Sequence, residues 1–207
     1  MARRKQKKNQ WLEQQRTDNY TRQARQQGYR SRAVFKLQEI DQRDRLISRG
    51  LRVLELGAAP GGWSQYIAEK VGHQGLVVAV DLIMMKPLPN VHFIHGDFTD
   101  SAVQRSLVDV LGATDLVLSD MAPNITGIRD ADQARFLDLL DSALDLAGRT
   151  LRPGGGVLLK VFEGPEIKAF RQRCESSFGQ VQVRKPSASR SKSREFYLLA
   201  KGYIGNQ

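Results

Sequence analysis

Lys160 lies inside Val157-Leu158-Leu159-Lys160-Val161-Phe162, an apolar run of strand length. An unpaired ammonium buried in such a strand is costly, so it needs carboxylate partners or a lowered pKa. The alternative is a strand-end lysine whose stem carries its charge out to solvent. Asp120 closes another apolar run, Asp115–Asp120, and is the natural partner if the two runs are neighbouring strands. Lys36 repeats the anomaly within Ala33-Val34-Phe35-Lys36-Leu37, and Glu195 opens a final apolar segment directly after the basic turn Ser189–Arg194. Two amines and two carboxylates in one pocket would form a nearly neutral cluster. A second cation lowers a lysine's pKa and carboxylates raise it, so such a set can poise one amine near working pH. That is chemistry for deprotonating, or stabilising, a weakly acidic alcohol.

A second constellation is Glu55-Leu56-Gly57-Ala58-Ala59-Pro60-Gly61-Gly62-Trp63. Glycines between a strand and a helix let the backbone turn tightly and approach a ligand, with the helix's first amides aimed at it. The loop departs from the dinucleotide pattern G-x-G-x-x-G, and Pro60 removes an amide donor that a pyrophosphate would use. A ligand that needs only a carboxylate and a sugar cradled fits better. Asp81 ends the next apolar run, where an acid can accept from ribose hydroxyls. Asp97, in Gly96-Asp97-Phe98, is placed to accept from an adenine amino group while Phe98 flanks the ring.

These residues need elements to hold them. RVLEL (52–56), LVVAVD (76–81), VHFIHGD (91–97), DLVLSD (115–120) and GGVLLKVF (155–162) read as strands buried on both faces. Helix patterns fall between them at 63–71, near 101–111 and at 131–149, with another at 166–178. This alternation predicts an α/β fold with a mostly parallel central sheet and helices on both faces. VQVRK (181–185) and EFYLLAKGY (195–203) read as two final strands, antiparallel because 186–194 is too short for a crossover helix. The strands number about seven, with the last antiparallel. Ahead of the core, 11–27 reads as a short helix broken by Gly28. Ser31 then caps a helix with an apolar face of Val34, Phe35, Leu37, Ile40, Leu46 and Ile47.

The 207 residues suffice for one domain: a disordered basic arm at 1–10, a basic helical extension at 11–50 and a core at 51–207. The net charge of +10 is unevenly spread: residues 1–50 carry +9, residues 51–150 carry −6 and residues 151–207 carry +7. Two basic ends around an acidic middle point to a polyanion such as RNA as partner. Arg30, Arg32, Arg190, Lys192 and Arg194 are the candidate contacts. The single cysteine, Cys174, excludes an internal disulfide and a multi-cysteine metal site. No apolar run is long enough for a bilayer, and no secretory h-region is present. A monomeric cytoplasmic protein is the simplest expectation.

Taken together, these segments resemble the FtsJ/RrmJ (RlmE) family of bacterial large-subunit ribosomal RNA uridine 2′-O-methyltransferases. The likeness is carried by Ser31–Leu37, Leu56–Gln65, Ser119–Asn124, Lys160-Val161-Phe162 and Arg184–Glu195, in order from about Trp11 to Gly202. It implies a Rossmann-like class I methyltransferase fold and S-adenosyl-L-methionine as cofactor, with no metal. It also implies a Lys-Asp-Lys-Glu tetrad at Lys36, Asp120, Lys160 and Glu195. Cofactor contacts would fall on Gly57, Pro60, Gly61, Gly62, Trp63, Asp81, Asp97, Phe98 and Asp120. The implied substrate is a uridine in the A-loop of 23S ribosomal RNA within the 50S subunit. Lys160 would be general base or oxygen-positioning residue. Glu55 stands where the family's first motif carries Asp, and the segment after Asp81, Leu-Ile-Met-Met-Lys-Pro, is atypical. The competing readings are a transfer RNA methyltransferase, a nicotinamide-dependent oxidoreductase, which Pro60 disfavours, and a non-catalytic RNA-binding protein.

Overall fold

Val53 and Leu54 are both wholly buried, yet they belong to different cores, because successive side chains of a strand point to opposite faces. The sheet they sit in is therefore covered on both sides. The structure, a computed structural model, describes residues 19–122, 127, 129–189 and 193–205. The expected basic arm (1–10), the start of the first helix (11–18), Arg190 and Lys192 lie outside the described residues.

In chain order the elements are helix α1 (19–26), α2 (Val34–Asp44), β1 (Arg52–Leu56), α3 (Gly62–Val71), β2 (Leu76–Asp81) and β3 (Val91–His95). They continue with α4 (Ser101–Leu111), β4 (Thr114–Ser119), α5 (Arg129–Thr150), β5 (Leu151–Phe162), α6 (Ile167–Ser177), β6 (Phe178–Arg184) and β7 (Glu195–Tyr203). The seven strands are ordered β3-β2-β1-β4-β5-β7-β6. All neighbouring pairs among β1–β5 are parallel, and β7 runs antiparallel to both β5 and β6. The expected sheet is thus the observed one. Leu107, Phe136, Leu146 and Phe170 of α4, α5 and α6 fill one face; Ala24, Leu37, Ile40 and Ile67 of α1, α2 and α3 fill the other. No helix among the described residues is long and apolar enough to cross a membrane.

The strand order reverses between β1 and β4, and open α/β sheets bind ligands outside the carboxyl ends of the strands at such a point. The carboxyl ends of β1, β2 and β4 carry Gly57, Asp81 and Asp120.

The N-terminal extension corrects two expectations. Ser31 does not cap α2: the N-cap is Ala33, with no side-chain cap, and only the Ser31 carbonyl accepts from Val34, at 3.4 Å. The Ser31 hydroxyl instead lies against Gly62, where any Cβ would collide with it. Leu46 and Ile47 are buried but do not belong to the helix, which stops at Asp44 because Arg45 turns left-handed at φ 51°. The Asp41 carboxylate holds that turn by accepting from Ile47 N at 2.8 Å and from the Tyr66 hydroxyl at 2.7 Å. Gly28 ends α1 as expected, at φ 76°.

Candidate active site

Leu158 of β5 and its register partner Leu199 of β7 pack on the α2–α3 side of the sheet. Two residues further along β5, Lys160 points the same way, paired with Tyr197, and Phe162 is paired with Glu195. Period-2 alternation therefore places Lys160, Tyr197 and Glu195 side by side beneath α2. Helix α2 is amphipathic toward that face, but at Lys36 it presents an amine instead of a methyl group.

Four charges meet there. Lys160 Nζ lies 3.1 Å from Asp120 Oδ1 and also donates to the Asp120 backbone carbonyl. Lys36 Nζ is 2.8 Å from Glu195 Oε1 and 3.7 Å from Asp120 Oδ1. Lys36 is 9% and Lys160 7% exposed, so neither reaches out to solvent. Burial on this scale is tolerable because the positive charges are matched by two carboxylates within contact distance. Burial pushes the Glu195 carboxyl up, but the hydrogen bond and charge of Lys36, with Lys160 beyond, hold it below its ordinary range.

Tyr197 is a member of this cluster that the sequence reading missed. Fully buried, it donates its hydroxyl to Asp120 Oδ1 at 2.6 Å, and its ring lies 5.8 Å beneath the Lys36 ammonium. Burial and the Asp120 carboxylate drive its phenol well above the ordinary range, so it serves as donor and not as base. The signal was available: Glu195 and Tyr197 are two apart on one strand and must share a face.

Beside the cluster, the loop after β1 opens with Gly57 at φ 77° and closes with Gly61 at φ 103°, both in the region that favours glycine. A Cβ at Gly57 would also collide with Met121, and one at Gly61 would press on Met85, Leu88 and Arg30. Asp81 pins the loop by accepting from Ala59 N at 2.8 Å through one oxygen, and holds its own turn through Ile83 N at 2.8 Å with the other. Asp97 is exposed and uses one oxygen in a turn with Thr99. A left-handed glycine cradle flanked by two strand-end acids fits an amino-acid carboxylate, a ribose and an amino-substituted base.

Two expected cofactor contacts sit deeper than the edge. Phe98 is 5% exposed and packs in the core with Leu56, Val80 and Leu107, under the strand ends. Trp63 is 3% exposed, donates its indole N–H to the Ala33 carbonyl at 2.8 Å and packs 5.9 Å from the Tyr197 ring. It stands behind the loop as a post joining α3, α2 and β7. Glu55, on β1, is 2% exposed and accepts from the Ser64 hydroxyl at 2.5 Å. Burial pushes its carboxyl up to about 8; the Ser64 hydroxyl opposes this, and the charges of Asp120 and Asp81 add to it.

Of the expected RNA contacts, Arg30, Arg32 and Arg194 are among the described residues. Arg194 is exposed at the mouth of β7, whereas Arg32 is half-buried and already engaged within the fold. The Arg30 guanidinium is occupied by three backbone carbonyls.

Residues 29–203 match the family profile of the FtsJ-like methyltransferases. Among curated proteins, the ribosomal RNA large subunit methyltransferase E of Alkalilimnicola ehrlichii is 51% identical over 195 residues, spanning 93% of each chain. The protein of the same name from Pseudomonas aeruginosa is 48% identical over 94% of this chain and 95% of its own. Among solved structures, a Plasmodium falciparum protein described as a ribosomal RNA methyltransferase superposes with a TM-score of 0.78 at 29% identity. That alignment covers 86% of this chain and all of the other. Aeropyrum pernix fibrillarin, solved with natively bound S-adenosyl-L-methionine, shares the fold at a TM-score of 0.57 and 17% identity, over 83% of this chain and 75% of its own.

Proposed function

The chain belongs to the FtsJ-like methyltransferase family, and from that premise we propose that it methylates a ribose 2′-hydroxyl of large-subunit ribosomal RNA, using S-adenosyl-L-methionine. The observation that carries this reading is the Lys36–Asp120–Lys160–Glu195 cluster, two buried lysines on two half-buried carboxylates at the carboxyl edge of the sheet, one strand from the glycine cradle. The names of the relatives support ribosomal RNA as the substrate class. The finer assignment, a uridine in the A-loop of 23S RNA within the 50S subunit, rests on the family resemblance. Residues 11–50 serve as the RNA-facing extension, residues 51–207 as the catalytic core, and the cytoplasm as the place of action.

Gly57, Gly61, Asp81 and Asp97 would hold the cofactor, which supplies an electrophilic methyl group on a sulfonium. An ammonium has three donors, and Asp120 occupies two of those on Lys160. The third is left for the ribose oxygen. Lys160 is assigned to hold that oxygen in line and, as the amine, would take the hydroxyl proton as the new C–O bond forms and the methyl's bond to sulfur breaks. Asp120 orients Lys160, and Tyr197 orients Asp120. Lys36, held by Glu195, flanks the ribose from α2. Alignment of this kind can lower a barrier by roughly 7–11 kcal/mol.

The deciding experiment incubates the protein with methyl-labelled S-adenosyl-L-methionine and 50S subunits, naked 23S RNA or transfer RNA, then maps ribose methylation by nucleotide. Label at one uridine of the 23S A-loop is the expected result. Label on transfer RNA alone, or on no RNA, would overturn it.

A further inference from the structure

Arg30 belongs to the basic extension, and its type and place make it a candidate phosphate contact. Its surroundings point elsewhere. Nη1 donates to the Lys86 carbonyl at 2.6 Å and to the Pro60 carbonyl at 3.3 Å, and Nη2 donates to the Pro87 carbonyl at 2.8 Å. A guanidinium is a planar fork of fixed donors, so holding three carbonyls at once fixes its plane and its reach. The carbonyls come from two separate segments: Pro60 lies in the glycine loop, and residues 86–87 follow the turn that Asp81 begins.

Three further observations converge on this contact. A Cβ on Gly61 would come within 3.0 Å of Arg30 Nη1, 3.0 Å of Leu88 Cδ1 and 3.1 Å of Met85 Sδ, so the loop closes directly on the clamp. The Arg30 backbone is itself anchored, since the Gln65 carboxamide accepts from Arg30 N at 2.7 Å and donates to the Gly28 carbonyl at 3.0 Å. Met85 is 6% exposed and packs with Ala58 and Ala79, so the clamped segment is part of the fold and not a loose flap.

We propose that Arg30 is a positioning residue for the cofactor cradle, locking the glycine loop to segment 85–88, and not an RNA phosphate contact. The inference rests on the methyltransferase reading and deepens it. Without the clamp the two segments are tied only by the Met85–Ala58 packing and by Asp81, and the cofactor must order the rest on binding. Three charge-assisted hydrogen bonds then act through cofactor affinity, whereas the Lys36–Asp120–Lys160–Glu195 geometry, held by other contacts, is untouched.

The test compares the full-length wild type with Arg30→Met and Arg30→Lys by titration calorimetry with S-adenosyl-L-methionine and by filter binding of 23S RNA across a salt series. Arg30→Met should weaken cofactor binding by roughly tenfold or more. The KM for the cofactor should rise with it, while kcat at saturating cofactor stays near wild type. Arg30→Lys should recover part of the loss, because one ammonium reaches fewer carbonyls; it also carries the same readout if Arg30→Met does not fold. RNA affinity and its salt slope should not change. Weaker RNA binding with a slope smaller by about one, and unaltered cofactor affinity, would make Arg30 a phosphate contact and overturn the proposal. Variants indistinguishable from wild type in both assays would overturn it as well. A wild-type chain that binds no cofactor at all refutes the methyltransferase reading, a different outcome from a wild type that binds and an Arg30→Met that binds equally.

Discussion

Replacing Glu55 by Gln should make stability less sensitive to pH, and the size of the effect follows from the burial of a single carboxyl. Glu55 is 2% exposed on the central strand β1, and its carboxyl titrates at about 8 against 4.5 for an ordinary glutamate. A carboxyl whose folded pKa is raised stabilises the fold fully below pH 4.5, and that contribution is lost as pH rises through 8. Between those limits folding must put a proton back on Glu55, which costs 1.36 kcal/mol per pH unit above 4.5, or about 3 kcal/mol at pH 7. Glutamine is nearly isosteric with the protonated acid, accepts from Ser64 in the same way and carries no proton to lose. Urea unfolding of both proteins from pH 5 to pH 8 should therefore show Glu55→Gln gaining on wild type by about 3 kcal/mol across the range. Groups remote from Glu55 titrate in both proteins and cancel in the difference. Parallel stability profiles would refute the reasoning, because they would mean that Glu55 ionises as readily in the fold as in the unfolded chain.

Lys160→Met should lower single-turnover methyl transfer by about two to four orders of magnitude, the range of a proton-transfer group, while calorimetry shows cofactor affinity unchanged. Tyr197→Phe leaves the Asp120 carboxylate one donor short. It should cost about 1.5–3 kcal/mol in urea unfolding and alter the pH dependence of transfer by loosening Asp120 against Lys160. Asp44→Ala should destabilise by about 3–5 kcal/mol in the same assay. It strands Arg184, whose guanidinium makes two 2.6 Å contacts to that carboxylate with both side chains 9% exposed.

Much of this protein was legible without coordinates. Strands covered on both faces must be continuous apolar runs, so RVLEL and LVVAVD declared themselves, and the helices between them dictated parallel neighbours. The charges of the cluster were legible for a related reason. A lysine in β5 and another in an apolar helix break a strong pattern, and a buried charge has to be matched. Glycine loops and strand-end acids were readable because backbone conformation and chain direction are local properties.

What stayed hidden depended on which elements touch. Tyr197 shares a strand face with Glu195, but only the pairing of β5 and β7 sets it against Lys160 and points its hydroxyl at Asp120. Phe98 and Trp63 sit beside the acid and the glycines in sequence, yet the core draws both rings inward, since burying a large aromatic outweighs lining an open edge. Ser31 passed for a helix cap because capping is judged from neighbours in sequence, whereas its hydroxyl found its place against Gly62 across the fold. Arg30 counted as one more positive charge until the tertiary structure placed three carbonyls around it. The sequence by itself determined which residue types had to be reconciled, because pattern and charge are written along the chain. The tertiary structure alone decided their partners, because hydrogen bonds and ion pairs act over a few ångströms between segments far apart in sequence.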